Sequence, residues 1–422
     1  MQITSRTYWG HITNYQKVRG NWKVSGKNSR GGLTVTNRDS NPETIVVGAP
    51  LDGSSNTNDT KLGDELEDIT GIVQYVFGFY AIFPETGTRV KRSNDAFPPP
   101  STITSNGKCN GLSFGSYNIE NFAPNNSRVP LIAEHIVDFL NTPSVIFLQE
   151  VQDNSGEAND GVVNSNLTLT SLSQAISDIS GVDYMFVTVD PVNNEDGGAP
   201  GGNIQTPYLY NPREVRLRDP NPGNANDVNE VLPGPSLRFN PGRIDDGETF
   251  SNSRKPIVAH WEMVDGSGTF FTLNNHWTSK GGSSSLQGDA RPPVNGGVDR
   301  RTRQAEVTGE FIAKILKQDK NAAVIVAGDF NEFSIVEPLR RFVEVSGLKD
   351  LDDVAKIPEA ERYTYTFGGS QQQLDHMYAS SWASRKVGRK DFEHVHVNTW
   401  VAEEDVGSDH DPSVARLNVC SR

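Results

Sequence analysis

The run AVIVAGDFNE, Ala323 to Glu332, constrains the fold of this chain more than any other stretch. Its small and β-branched apolar residues, bounded by turn chemistry, predict a strand buried on both faces. The strand then delivers an acid and an amide, Asp329 and Asn331, two positions apart. Alternation sends residues i and i+2 to one side of an extended chain, so both are expected at one place. Gly, Asp and Asn are also ordinary turn formers, and on this segment alone a plain turn is the better reading.

At 422 residues the chain is comfortable for two domains and can bury a large core. Hydrophobic residues make up 35 % and charged ones 22 %, with Gly 39 and Pro 24, which fits a loop-rich globular protein rather than a disordered one. A formal net charge of -14, with no Lys/Arg block, counts against a passive nucleic-acid binder working through a basic face. An acidic chain still processes a polyanion where bound cations supply positive charge. The longest apolar run, IVQYVFGFYAIF (Ile72 to Phe83), is too short to span a bilayer, and its Gln74 and Gly78 suit a strand and turn. The start, MQITSRTYWG, does not read as a signal peptide. Sequons at Asn58, Asn125 and Asn166 are weak signs of secretion, because such matches arise often by chance.

The stretch FPPPSTITSNGKC, Phe97 to Cys109, reads as a linker, rich in Pro and polar residues and without periodicity. Before it, short β-rich runs alternate with Gly, Asn and Asp turns, predicting a small all-β, partly closed barrel. After it, strands are expected at GLSFGSYNIEN, VIFLQE, YMFVTV, PYLY, IVAHWEMV, TFFTLNNH, AVIVAGDFN, LDHMYAS, FEHVHVN and PSVARLNV. Helices are expected at VPLIAEHIVDFL, TLTSLSQAISDI, RQAEVTGEFIAKILK and PLRRFVEV. Many strands with a few helices argue for two packed sheets covered by helices. No internal repeat is visible.

Other strands end as AVIVAGDFN does. SYNIEN carries Asn118 and Glu120, VIFLQE ends at Glu150, and TLNNH ends at His276. LDHM brings Asp375, and GSDHDP brings Asp409 and His410. Strands that release polar residues at one rim build a shared site. Converging carboxylates repel one another unless a divalent cation sits among them, and an oxygen-rich set suits Mg²⁺, Mn²⁺ or Ca²⁺ rather than zinc. The two histidines would donate to a phosphate oxygen or a leaving group. Alone, each residue has a plainer reading: a strand edge, a cap, a satisfied core histidine, a turn before Pro412. Their joint occurrence in this order favours the site.

The motifs YNIEN, LQEV, NNHWTSKGG, GDFNEF, LDHMYAS and SDHDP, in that order over Gly111 to Val419, resemble the endonuclease/exonuclease/phosphatase superfamily. The details FGFY, PGGNI, TSKGGSSS and RPPVNGGVD look most similar to large secreted microbial nucleases of that superfamily, which carry an OB-like module ahead of the catalytic domain. The resemblance implies an α+β fold: a four-layered α/β/β/α sandwich of two packed mixed sheets flanked by helices. The OB-like module and linker would occupy residues 1–105 and the catalytic domain residues 106–422. It implies a metal-dependent phosphodiesterase acting on nucleic acid, with Glu150 as principal metal ligand and Glu120, Asp409 and Asn118 also at the metal. Asp329 would orient or deprotonate water, Asn331 would hold the cluster and phosphate, and His276 and His410, the latter held by Asp375, would stabilise the transition state. Mg²⁺ is the expected cation.

Relatives often show Arg, a phosphate contact, after PGGNI where this chain has Gln205; Gln205, Lys280, Arg291 and Arg213 are the residues expected to meet substrate. His376, turned away by alternation, is expected to pack. The long Gly/Pro-rich segment Thr278 to Arg300 is expected to border the site. The alternatives are a phosphodiesterase acting on lipid head groups or small esters, and a surface binding protein with an inactive site. A sphingomyelinase would expose an apolar aromatic hairpin; none is evident, with IVQYVFGFYAIF the segment to check. No protein partner or membrane span is expected, and the protein is read as a monomer.

Cys109 and Cys420 are the only cysteines, which leaves no zinc ribbon or CxxC pair. They flank the first and last strands after the linker, and in a sandwich where those strands are neighbours a bridge is within reach. A bridge implies an extracellular destination, whereas two free thiols would imply a cytosolic one.

Overall fold

The computed structural model describes residues 26–37, 44–57, 60–94, 97–245, 247–286 and 288–421, together with the short strands at 2–3 and 11–13. The sequon at Asn58 lies outside the described residues, while Asn125 and Asn166 are exposed.

Before the linker the described strands form one seven-stranded sheet. It includes β1 (Thr44–Val47), β2 (Gly71–Val76) and β3 (Phe79–Pro84). Val47, Leu66 and Ile82 form its small core. β2 is an edge strand, and it pairs antiparallel with β3 through the tight turn Phe77-Gly78, in which both residues have positive φ.

After the linker come β4 (Leu112–Phe122), α1 (Val129–Glu134), β5 (Val145–Val151), α2 (Asn166–Ser180), β6 (Met185–Val187), β7 (Tyr208–Tyr210) and β8 (Val215–Leu217). Then follow β9 (Ile257–Met263), β10 (Thr269–His276), α3 (Val298–Gln318), β11 (Ala323–Asp329), α4 (Glu337–Ser346) and β12 (Lys349–Asp350). The chain closes with β13 (Asp375–Ala379), β14 (Phe392–His394) and β15 (Ser413–Leu417).

Two mixed sheets result. One runs β6-β7-β5-β4-β15-β14, and the other runs β8-β9-β10-β11-β13-β12. Their facing sides share one core, with Phe114, Phe147 and Tyr208 from the first meeting Trp261, Phe270 and Ile325 from the second. On the outer side of the first sheet, Ile146 and Leu148 pack with Ile132 of α1 and Leu172 of α2. On the outer side of the second, Val324 and Val326 pack with Phe311 and Ile312 of α3 and Phe342 of α4. Four layers, α/β/β/α, follow from strands that are apolar on both faces, as expected.

β4 and β15 are adjacent and antiparallel, Leu112 opposite Leu417. The residues just beyond them are therefore neighbours, and Cys109 and Cys420 form a disulfide with Cα atoms 4.6 Å apart.

Candidate active site

Alternation and strand direction assemble the site. Along β11, Ala323, Ile325 and Ala327 face the core between the sheets, and Asp329 comes next in that series. The same parity governs Asn118 on β4 after Phe114, His276 on β10 after Phe270, and Asp375 on β13 before Met377 and Ala379. β10 runs parallel to β11 with His276 opposite Asp329, and β13 runs antiparallel with Asp375 opposite Asp329. All four therefore meet at one rim. At that rim only glycine fits position 328, because a Cβ there would fall 2.0 Å from the carbonyl oxygen of Asn275.

Glu150 breaks the alternation. Its parity would send it with Ile146 and Leu148 toward the helices, but its φ is 61°. Its carboxylate accepts hydrogen bonds from Asn118 Nδ2 at 3.1 Å and from the Asn121 N–H at 3.0 Å. Glu120, Asn121 and Asn331 also have positive φ, at 46°, 44° and 51°. Such backbone costs roughly 1–2 kcal/mol per non-glycine residue, and its concentration here marks a place where side-chain direction is imposed by the fold.

Asn331 arrives by a turn, not by alternation. β11 stops at Asp329, whose Oδ1 accepts the Asn331 N–H at 2.7 Å and whose Oδ2 accepts Asn331 Nδ2 at 3.0 Å. The turn and the paired-site readings of GDFN describe the same structure. Asn118 and Glu120 behave alike: Asn118 Oδ1 accepts the Glu120 N–H at 3.1 Å, and the β4–β5 register shifts beyond Asn118.

Asp329 Oδ2 is the centre of the arrangement. Asn118 Nδ2 donates to it at 3.3 Å, while His276 Nε2 stands at 3.6 Å and His410 Nε2 at 4.0 Å. His276 Nε2 is also 3.8 Å from Glu150 Oε1. Burial, with help from Asp375 and Glu150, outweighs the opposing charge of His410 and pushes the Asp329 carboxyl up to about 7. Asp409, whose Oδ1 lies 4.0 Å from His410 Nε2, rises to about 6 through burial and the charges of Glu120 and Glu150. The two histidines part ways. Burial, then the charges of Arg254 and His410, hold His276 well below its ordinary value. Burial pulls the same way on His410, but Asp375 and Asp409 overcome it and hold that ring well above.

A divalent cation fits these groups. Glu150, His276 and Asp329 each offer a ligand atom within 4.8 Å of the others. These groups lie on the floor of a cleft of about 690 Å³, which Asn331, Asp409, His410 and Tyr365 also line.

The remaining expected residues fall in different places. Glu120 pairs with Arg128 at 3.2 Å and is not part of the cleft lining. Lys280 lines the cleft but is tied to Glu332 at 2.8 Å and Asn295 at 2.6 Å. Residues Ser279 to Ser284 and Pro293 to Asn295 also line it, so the long loop borders the site. Arg291 lines a second cleft instead, with Tyr75 and Tyr80.

Like Arg291, the other two substrate expectations, Gln205 and Arg213, are not part of the cleft lining. Gln205 is buried, its amide accepting from Ser165 and Thr188 and donating to the Val163 carbonyl. Arg213 follows β7, whose Tyr210 pairs with Val145 at the start of β5, so it stands at the end opposite Glu150. His376 packs on Phe330 with Nε2 2.8 Å from the Glu332 carbonyl oxygen.

Sequence reasoning passed over Tyr365, Arg254 and Glu332. The Tyr365 ring lies 4.8 Å from that of His410. Arg254 is buried, donates to the Trp277 carbonyl at 2.7 Å, and feels the charges of Glu150 and Asp329. Glu332, fully buried, accepts from Lys280, Asn295 and Arg301. Only Glu332 carried a signal, as an acid at the end of GDFNE.

The model of the endonuclease/exonuclease/phosphatase family matches residues 115–410, and the chain belongs to that family. Its members are hydrolases that act on phosphoester bonds with divalent metals. A second model, a domain of unknown function (DUF8508), matches residues 2–95. No curated protein matches the chain. Among solved structures, truncated Caenorhabditis elegans TDP2 is 19% identical with a TM-score of 0.46, over 73% of this chain and 98% of that one. The human Nocturnin catalytic domain is 14% identical with a TM-score of 0.45, over 73% and 94%. The Bacteroides thetaiotaomicron mannosyl-6-phosphatase Bt3783 is 16% identical with a TM-score of 0.43, over 72% and 99%.

Proposed function

We propose that this chain is a secreted, divalent-metal-dependent nuclease that hydrolyses phosphodiester bonds of DNA, with RNA a further substrate, at low sequence specificity. The observation that carries it is the convergence of His276 and His410 on Asp329 and Glu150 in an open cleft. Glu150, with Asp409 and Asn118, would hold the cation, Glu120 joining them only by loosening its pairing with Arg128; Mg²⁺ is the ion we propose. When bound, the cation supplies positive charge to the phosphate. Asp329, held by Asn118 and Asn331, orients the attacking water and takes its proton. His410, protonated and fixed by Asp375, donates a proton or hydrogen bond at the leaving oxygen. His276, held neutral, offers its imidazole to the same phosphate without adding charge.

The Cys109–Cys420 disulfide supports an extracellular destination. We divide the chain into an OB-like module with linker, residues 1–105, and a catalytic domain, residues 106–422, acting as a monomer. No helix among the described residues is long and apolar enough to cross a membrane.

One observation favours a lipid phosphodiester instead: the β2–β3 hairpin exposes Ile72, Val73, Tyr75 and Tyr80. Digestion of plasmid, linear DNA, RNA and sphingomyelin, with each cation and with chelator, separates the readings. Cleavage of sphingomyelin alone would replace the nuclease by a lipid phosphodiesterase.

A further inference from the structure

The β2–β3 hairpin meets the long loop that borders the catalytic cleft. Gly78 at its turn has a φ of 85°, and a Cβ there would lie 3.0 Å from Asp289 Oδ1. Tyr75 feels the charge of the Asp289 carboxylate, opposed by that of Arg291. Opposite each other across the hairpin, the Tyr75 and Tyr80 rings stand 5.2 Å apart at 64°. They remain 55% and 66% exposed, far more than rings that serve a core. Arg291 completes the edge of a cleft of about 380 Å³ that these residues share with Gly78 and Gly288.

We propose that this cleft is an exosite that holds one unpaired nucleobase and its phosphate, on a strand whose scissile bond lies in the catalytic cleft. The proposal rests on the nuclease reading above. Two aromatic faces supply stacking, which is indifferent to base identity. Asp289 is placed to accept from an exocyclic amine, and Arg291 to meet a phosphate. The two clefts draw on neighbouring stretches of one loop, Ser279 to Leu286 and Pro293 to Asn295 for the catalytic cleft and Gly288 to Arg291 for this one, so a strand leaving His410 and Tyr365 would follow that loop to Tyr75. A paired base cannot present its face to a side chain, so the exosite selects single-stranded or frayed substrate. A bilayer is the poorer occupant. Inserting the hairpin would take Asp289 and Arg291, which share its cleft, out of water.

The test compares wild type, Tyr75→Ala/Tyr80→Ala, Tyr75→Phe/Tyr80→Phe and Arg291→Glu. The first readout is anisotropy of a fluorescent single-stranded oligonucleotide in chelator, where turnover is stopped. The alanine pair is expected to weaken binding about tenfold or more, the scale of losing base stacking, and the phenylalanine pair to retain it. Arg291→Glu is expected to weaken it in a salt-dependent way. With cation present, the alanine pair should raise KM on single strands more than on blunt duplex, leaving kcat and hydrolysis of bis(4-nitrophenyl) phosphate unchanged. Unaltered affinity for single strands in the alanine pair overturns the exosite. So does loss of binding to phosphatidylcholine vesicles with single-strand affinity unchanged, which assigns the hairpin to a membrane. A wild type that hydrolyses bis(4-nitrophenyl) phosphate but no nucleic acid overturns the nuclease reading itself.

Discussion

His410 Nδ1 and Asp375 Oδ2 stand 2.6 Å apart, and the same oxygen accepts from the Thr364 hydroxyl at 2.6 Å. The ring is thereby fixed with Nε2 toward Asp329 and Asp409. An imidazole held this way acts through the orientation and charge that its carboxylate gives it. His410→Ala is expected to cut kcat on plasmid DNA by about a hundredfold or more, and Asp375→Asn to approach the same loss. His276→Ala should fall in the same range. A silent Asp375→Asn beside a severe His410→Ala would mean that the pairing has no part in turnover.

Glu150 serves two ends, as an acid at the site and as a residue in left-handed backbone. Glu150→Ala is expected to lose nearly all metal-supported turnover with an unchanged circular dichroism spectrum. Glu150→Gly should be equally inactive yet more stable than Glu150→Ala by about 1 kcal/mol, since glycine adopts positive φ freely. Equal urea midpoints for the two variants would show that the backbone there holds no strain. Undiminished cleavage by wild type in excess chelator would remove the metal from the mechanism.

Much of this was legible because strands have period two. Asn118, His276, Asp329 and Asp375 are the terminal inward positions of strands whose apolar runs are plain in the sequence. The Cys109–Cys420 bridge followed from the adjacency of the first and last strands of the sandwich. What escaped depends on departures from regularity. Glu150 and Asn331 were expected at the site, but the positive φ that brings them there is announced by no residue pattern. The placement of Gln205 and Arg213 was not legible because a side chain's partners depend on tertiary contacts: one amide bonds Ser165 and Thr188, and the other residue lies at the far end of its strand. The exposure of IVQYVFGFYAIF was hidden for the same reason, since apolar composition cannot tell a covered hairpin from an uncovered one.

Glu332 ties the loop to the end of β11. It is fully buried and bound by Lys280 at 2.8 Å and Arg301 at 2.9 Å, while Arg301 also donates to the carbonyls of Thr278 and Ser279. Removing one member of a buried ionic group leaves the others uncompensated, at a cost of about 3–5 kcal/mol. Glu332→Gln is therefore expected to lower the urea midpoint and raise KM on DNA, because the loop walls the cleft. Unchanged stability and KM would mean that the loop holds its place without this cluster.

His260 stacks on Phe271 with ring centroids 3.9 Å apart, and burial, then Arg218, lowers its pKa to about 3. The unfolded ring takes up a proton near pH 6.5, whereas the folded one does not until far lower. Its contribution to stability is therefore present above pH 6.5 and lost as pH falls toward 3. His260→Phe keeps the stack and removes the proton. The fall in urea midpoint between pH 7 and 5 should be smaller in this variant than in wild type, and an identical fall would place the acid sensitivity elsewhere.

The disulfide closes a loop with a sequence separation of 311, joining residues outside the two neighbouring strands β4 and β15. In the chain-entropy picture so long a loop contributes up to about 5 kcal/mol by restricting the unfolded chain. The folded ends are already held together, since the Val419 N–H donates to the Cys109 carbonyl at 2.6 Å and β15 pairs with β4 along its length. Reduction should therefore leave the cleft and its kcat intact while lowering thermal stability. Cys109→Ser/Cys420→Ser is expected to retain turnover on DNA at 25 °C, to melt several degrees lower, and to respond no further to dithiothreitol. Wild type measured with and without dithiothreitol supplies the comparison. A double variant that melts with oxidised wild type would mean that sheet pairing alone holds the ends.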